Sequence, residues 1–160
     1  MQASITEAKD VRHDRVRANT KREINQQIDE KTVHLLRLYS KADKDLIASR
    51  IEQLDREWDI ERLLETNAAS IALGGIILGT VSSRKWFLVP AVVATFLLQH
   101  AIQGWCPPVT ALRRFGVRTR KEIERERYAL KLLRGDFEEF RAGETQDVEQ
   151  LLRMLDADAF

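Results

Sequence analysis

Residues 66–105 read TNAASIALGGIILGTVSSRKWFLVPAVVATFLLQHAIQGW, and they decide the fold. Two uncharged runs, 66–83 and 86–105, flank Arg84 and Lys85, which are the sole formal charges between Thr66 and Leu112. A helix rises about 1.5 Å per residue and the hydrocarbon layer of a bilayer is about 30 Å thick, so about twenty apolar residues cross it. The second run meets that length. The first is slightly short, a gap that tilt or local thinning absorbs. The four residues SSRK make a tight polar turn between them. Pro90 falls in the first turn of the second helix, where a missing amide costs little. Trp86 and Trp105 stand at its two ends, where interfacial aromatics are expected. The reading is all-α: a two-helix transmembrane hairpin over 66–105, flanked by amphipathic cytoplasmic helices.

The competing arrangement is a soluble bundle with two apolar helices at its centre. It would have to bury both helices completely beneath neighbours that are short and rich in charge. The flanks do read that way. Residues 1–19 are polar, with no apolar h-region of a cleaved leader, and are expected to fray. Over 20–65, Thr20 and Glu23 have capping-box spacing, followed by a helix from about 21 to 39 with Ile24, Ile28, Leu35 and Leu38 apolar. Ser40 and Asp43 signal a second start, and Ile47, Ile51, Leu54 and Trp58 form a stripe at spacings of four, three and four. A local antiparallel pair of these two helices is the expectation, with a dimerising coiled coil as its alternative.

Over 106–160, Pro107 and Pro108 break the second span and Val109 to Phe115 is short and amphipathic. Thr119 and Glu122 repeat the capping box, and a helix from about 120 to 134 stops at Gly135. Thr145 to Leu155, with Val148, Leu151, Leu152 and Leu155 apolar, reads as a last short helix.

Of the 160 residues, 26 are Lys or Arg and 25 are Asp or Glu, for a net charge of +1, which gives no bulk electrostatic case for nucleic acid or an acidic substrate. The basic residues nearest the spans set the orientation. Arg50, Arg56 and Arg62 precede the first, and Arg113, Arg114, Arg118, Arg120 and Lys121 follow the second, against Arg84 and Lys85 in the turn. Both termini are therefore expected in the cytoplasm. The same run, Arg113, Arg114, Arg118, Arg120 and Lys121, is the expected contact with anionic lipid headgroups.

Four groups of residues could carry a function. Cys106 is the single cysteine, so it excludes an intramolecular disulfide; it reads as a small buried residue at a Cys-Pro turn or, alternatively, as a thiol site. Gln99, His100 and Gln103 are polar within the second span and suit hydrogen bonding between helices. One His and one Cys make no metal site within a chain, and no cofactor is expected. Ala68, Ala72, Gly75 and Gly79 line one face of the first span, with Gly75 and Gly79 at GxxxG spacing. Such a stripe packs on the second helix of the same hairpin or on a second copy. The fourth group is the basic run.

The run LLQHAIQGWCPPVTALRRFGVRT resembles the YgaP-like transmembrane-domain family through Gly104, Cys106, Pro107, Leu112, Gly116 and Val117, with Trp58, Glu61 and Arg62 upstream. The resemblance covers about residues 58–120. It implies a bacterial inner-membrane domain of two spans and unknown activity. Some relatives join it to a rhodanese domain, but the catalytic-cysteine loop of that domain is missing here, so sulfur-transfer catalysis does not carry over. No Ser-His-Asp set or phosphate-binding glycine loop is recognisable, and a non-enzyme is expected. The functional expectation is a membrane anchor or assembly module with a cytoplasmic protein partner. The alternatives are a redox or sulfur-handling protein using Cys106 and an oligomeric small-solute channel or exporter lined by the polar cluster.

Overall fold

The computed structural model describes residues 14–137. All regular structure among them is helical: α1 (Arg15–Ala18), α2 (Arg22–Tyr39), α3 (Lys44–Arg56), α4 (Ile60–Val81), a 3-10 turn (Arg84–Phe87), α5 (Leu88–Gln103), α6 (Pro107–Arg114) and α7 (Arg120–Arg134). The expected helix over 145–155 lies outside the described residues.

Helix α4 starts earlier than the charge boundary suggests. The Asp59 carboxylate accepts the Arg62 amide at 2.7 Å and caps it, so its 22 residues reach about 33 Å. After the turn at Ser83, the 3-10 segment and α5 run back along it. Residues Lys44–Val81 and Arg84–Gln103 each contain an 18-residue window long and apolar enough to cross a membrane. Only 22 % of the first window and none of the second is buried inside the fold.

The GxxxG stripe explains the close approach of α4 and α5. A Cβ placed on Gly75 would lie 2.8 Å from Pro90 Cδ, and one on Gly79 would lie 2.9 Å from the Phe87 ring. Ala68 is buried and Ala72 half-buried on the same face. The glycines are filled by the chain's own second helix, while Gly74 has open space beside it.

Below the hairpin lie two apolar clusters. One gathers Val16, Ile60, Leu64, Cys106 and Val109. The other gathers Ile47, Ile51 and Leu54 of α3 with Ile123 and Leu130 of α7, and Leu36 and Tyr39 from the end of α2 join it. This revises the expected pairing of α2 with α3. The stripe of α3 finds its partner on α7, because α7 offers Ile123 and Leu130 on one face while α2 reaches the cluster with its last turn alone. Trp58 leaves the stripe too. The helix stops at Arg56, and Trp58 stands 43 % exposed with the Arg62 guanidinium 4.3 Å above its ring.

Two local expectations also change. The capping box at Thr119–Glu122 forms, but Thr20–Glu23 does not: Thr20 donates its hydroxyl to the Val16 carbonyl at 2.7 Å, and α2 begins at Arg22 without a side-chain cap. Residues 14–19, expected to fray, are instead built into the root of the hairpin. Asp14 caps α1 by accepting the Arg17 amide at 3.0 Å, and Val16 and Arg17 are buried.

Candidate functional site

Of the residues singled out in the sequence, His100, Gln103, Cys106 and Arg113 lie at the root of the hairpin, where α5 ends, while Gly75 and Gly79 line its seam farther along. Gly104 closes α5 in the left-handed region at φ +71, donating its amide to the His100 carbonyl at 2.7 Å. A Cβ there would collide with Arg15 Cβ, so α1 can sit against it only because the residue is glycine. From that seat Arg15 donates to the Ala101 carbonyl at 2.6 Å and Asn19 to the Gln103 carbonyl at 3.0 Å. These bonds satisfy open carbonyls of the last turn of α5, and the arginine complements the negative end of the helix.

Two residues on, Cys106 is fully buried in the first cluster and serves as the N-cap position of α6. That place at a helix N-terminus does not activate the thiol. Pro107 and Pro108 fill the first helical positions and have no amides to offer a thiolate. Burial pushes the Cys106 thiol up, and a bond from the Val109 amide offsets part of that. The thiol is a neutral, apolar filler.

Around this corner runs a network of buried charges. Arg113, 1 % exposed, holds Glu122 through two bonds of 2.6 and 2.8 Å. It also donates to Asn25 Oδ1 at 2.8 Å, to the Val117 carbonyl at 3.0 Å and to Thr20 Oγ1 at 3.2 Å. Arg17 bonds Glu122 at 2.7 Å and also Asp29. Arg118 grips Glu57 through two bonds of 2.8 and 2.5 Å and also reaches Glu126, which takes Arg50 at 2.9 Å on its other side. The Thr119 hydroxyl donates to Asp14 at 2.6 Å. Burial alone would raise the Glu122 carboxyl, but Arg113, the Thr119 amide and Arg17 outweigh it and hold the group below its usual range. Burial likewise works against the Arg118 charge, but Glu57 and Glu126 overcome it and lock the guanidinium protonated.

This geometry corrects the headgroup assignment for two residues. Arg113 and Arg118 point inward, Arg113 onto Glu122, Asn25, Thr20 and the Val117 carbonyl and Arg118 onto Glu57 and Glu126, and both are buried rather than turned outward. Arg114, Arg120 and Lys121 are exposed, Arg120 with a Glu124 pair at 3.0 Å. The polar cluster of α5 is also divided. His100 lines a cavity of about 690 Å³ with Asp14, Arg15, Glu61, Glu65 and Thr119, whereas Gln99 and Gln103 are not part of that wall. Among the described residues no group of three or more His, Cys, Asp or Glu could hold a metal ion.

Sequence reasoning missed Asp14, Arg17, Asn25 and Glu126. A signal existed for the last: Glu122 and Glu126 share the helix face of Ile123 and Leu130, and acids on an apolar face demand buried cations. Asp14, Arg17 and Asn25 carry no such local mark. Comparison with models of protein families, with curated proteins and with solved structures finds no match for the chain.

Proposed function

We propose that this chain is a small membrane protein whose α4–α5 hairpin crosses a bilayer twice, with the α1–α3 and α6–α7 elements gathered as an assembly module on the cytoplasmic face. The observation that carries this is the bareness of the hairpin: 22 % and 0 % of its two apolar windows are buried. A core helix of a soluble protein hides such a window in protein. The bilayer is the solvent that removes this cost. The excess of cations beside the root over those in the turn supports the cytoplasmic placement.

The buried network knits the module together, and it is held to the hairpin by α1, which caps the end of α5, and by the cluster of Val16, Ile60, Leu64, Cys106 and Val109. This arrangement suits an anchor, in which exposed helix faces are presented at a fixed height above lipid. Likeness to the YgaP-like domain belongs to the same proposal, with Gly104, Cys106 and Pro107 as an architectural corner. The thiol-based alternative gains no support from a buried, neutral Cys106. A channel gains none from a hairpin whose small-residue seam is already filled.

The test is fractionation followed by labelling from one side. Expression should leave the protein in the membrane pellet after alkaline carbonate extraction. Cys106 is buried, so orientation is read on Ser82→Cys in a Cys106→Ala background. A membrane-impermeant thiol reagent should label intact cells and miss sealed inverted vesicles. Recovery as a monodisperse soluble protein in plain buffer would end the proposal.

A further inference from the structure

Helix α6 has three sides. At about 100° per residue, Val109 and Arg113 share one side, and both are buried. Thr110 and Arg114 share a second, polar side. Pro108, Ala111 and, at the C-cap, Phe115 share the third, and all three are exposed. Their spacings of three and four bring Phe115 back to within about 20° of Pro108. Phe115 stands 85 % exposed, the barest large apolar side chain among the described residues.

Two contacts fix the depth of this helix against the hairpin. At its start, Cys106 and Pro108 line an apolar notch of about 120 Å³ with Ile71 of α4 and Val93 and Phe96 of α5. Those three hairpin residues belong to the uncharged runs 66–83 and 86–105. Just past the end of α6, the Arg118 carbonyl accepts the Ile60 amide at 3.0 Å, at the foot of α4. The stretch of α4 from Ile60 to Ile71 measures about 17 Å, and the uncharged run begins midway along it. The polar layer on each side of a bilayer is about 5–7 Å thick. A helix held between these two levels starts beside acyl chains and ends among headgroups.

We propose that α6 is an interfacial helix, lying in the boundary between headgroups and acyl chains of the cytoplasmic leaflet with Pro108, Ala111 and Phe115 turned into lipid. The inference rests on the bilayer reading of the hairpin and adds a third lipid-facing element to its two spans. The order of the three sides agrees with this. The buried side faces protein, the apolar side continues the lipid-facing flank of the hairpin at the notch, and Arg114 borders the apolar side where its stem covers acyl chain and its guanidinium meets phosphate. Lipid contact along α6 sets the tilt of the module, because the notch and Phe115 lie at opposite ends of the helix.

The experiment uses the full-length protein in phosphatidylcholine–phosphatidylglycerol vesicles whose acyl chains are brominated near the headgroup, since bromine quenches tryptophan on contact. Each sample carries a single tryptophan. With Trp58→Phe and Trp105→Phe, the remaining Trp86 at the turn reports the hairpin. With Trp86→Phe added, Phe115→Trp and, separately, Ala111→Trp report α6. Leu46→Trp in the same background, 57 % exposed near the start of α3, reports module surface away from the root. Phe115→Trp and Ala111→Trp should each lose about half of their emission on bromination, as an apolar face sunk about 5–10 Å into the boundary requires. Leu46→Trp should keep its emission. Quenching of Trp86 with neither α6 variant quenched would overturn this inference and leave the bilayer reading standing, whereas an unquenched Trp86 would end both. Blue-shifted but unquenched emission from Phe115→Trp would mean cover by a second copy or another protein, and equal quenching of Leu46→Trp would mean no preference for this face. Either result also overturns the proposal.

Discussion

At the residue scale, Glu122 joins the two halves of the module: it neutralises Arg113 and Arg17, and it accepts the Thr119 amide at 2.9 Å. Removing one partner of a buried pair leaves an uncompensated charge and costs about 3–5 kcal/mol. Glu122→Gln should therefore destabilise by about that amount, measured by denaturant unfolding in micelles. The pH dependence follows in sign. The folded carboxyl titrates below its usual 4.5, so the stabilisation is complete above 4.5 and disappears as pH falls through the depressed value. The stability gap between wild type and Glu122→Gln should close on acidification below 4.5. Cys106 gives the second residue-level test. Cys106→Ala should cost on the order of 1 kcal/mol, and Cys106→Ser should cost more, because a hydroxyl there is buried among apolar side chains. Thiol reagents should react with the wild type only after unfolding.

At the element scale, the hairpin depends on a seam rather than on general oiliness. Lipid tails are as apolar as leucine, so two helices stay together in a bilayer through close packing. Gly75→Leu or Gly79→Leu should force α4 and α5 apart, because a first side-chain carbon already lies under 3 Å from Pro90 or Phe87. Gly74→Ala, which meets nothing within 4 Å, should leave the hairpin intact. Disulfide trapping between cysteines placed across the two helices, in a Cys106→Ala background, reads the difference. Glycine periodicity made this stripe legible beforehand. The choice between a second copy and the chain's own α5 depended on where Val89, Pro90 and Phe87 come to rest.

At the scale of the whole molecule, the module and the hairpin meet at one end, and the proposed orientation rests on the basic residues there. In the Ser82→Cys reporter, Val81→Lys with Ser83→Lys would raise the turn and its edge from two basic residues to four; Val81 is exposed there. The one-sided labelling pattern should then give way to a mixed population, because the bias in Lys and Arg across the two faces has been narrowed. A pattern unchanged by those substitutions would mean that another feature sets the topology.

Sequence alone carried the helical class, the two membrane-sized apolar helices, the polar turn between them and the cap at Thr119, because each depends on residues within a few turns of one another. It could not say that α3 would pair with α7 rather than α2, that Arg113 and Arg118 would turn inward, or that residues 14–19 would cap the end of α5. Those outcomes join positions as far apart as Asp14 and Thr119, and Arg50 and Glu126. A cation bound to a lipid and a cation bound to a buried carboxylate look alike along a chain. The partner is chosen only when folding brings the carboxylate within reach and excludes water from both.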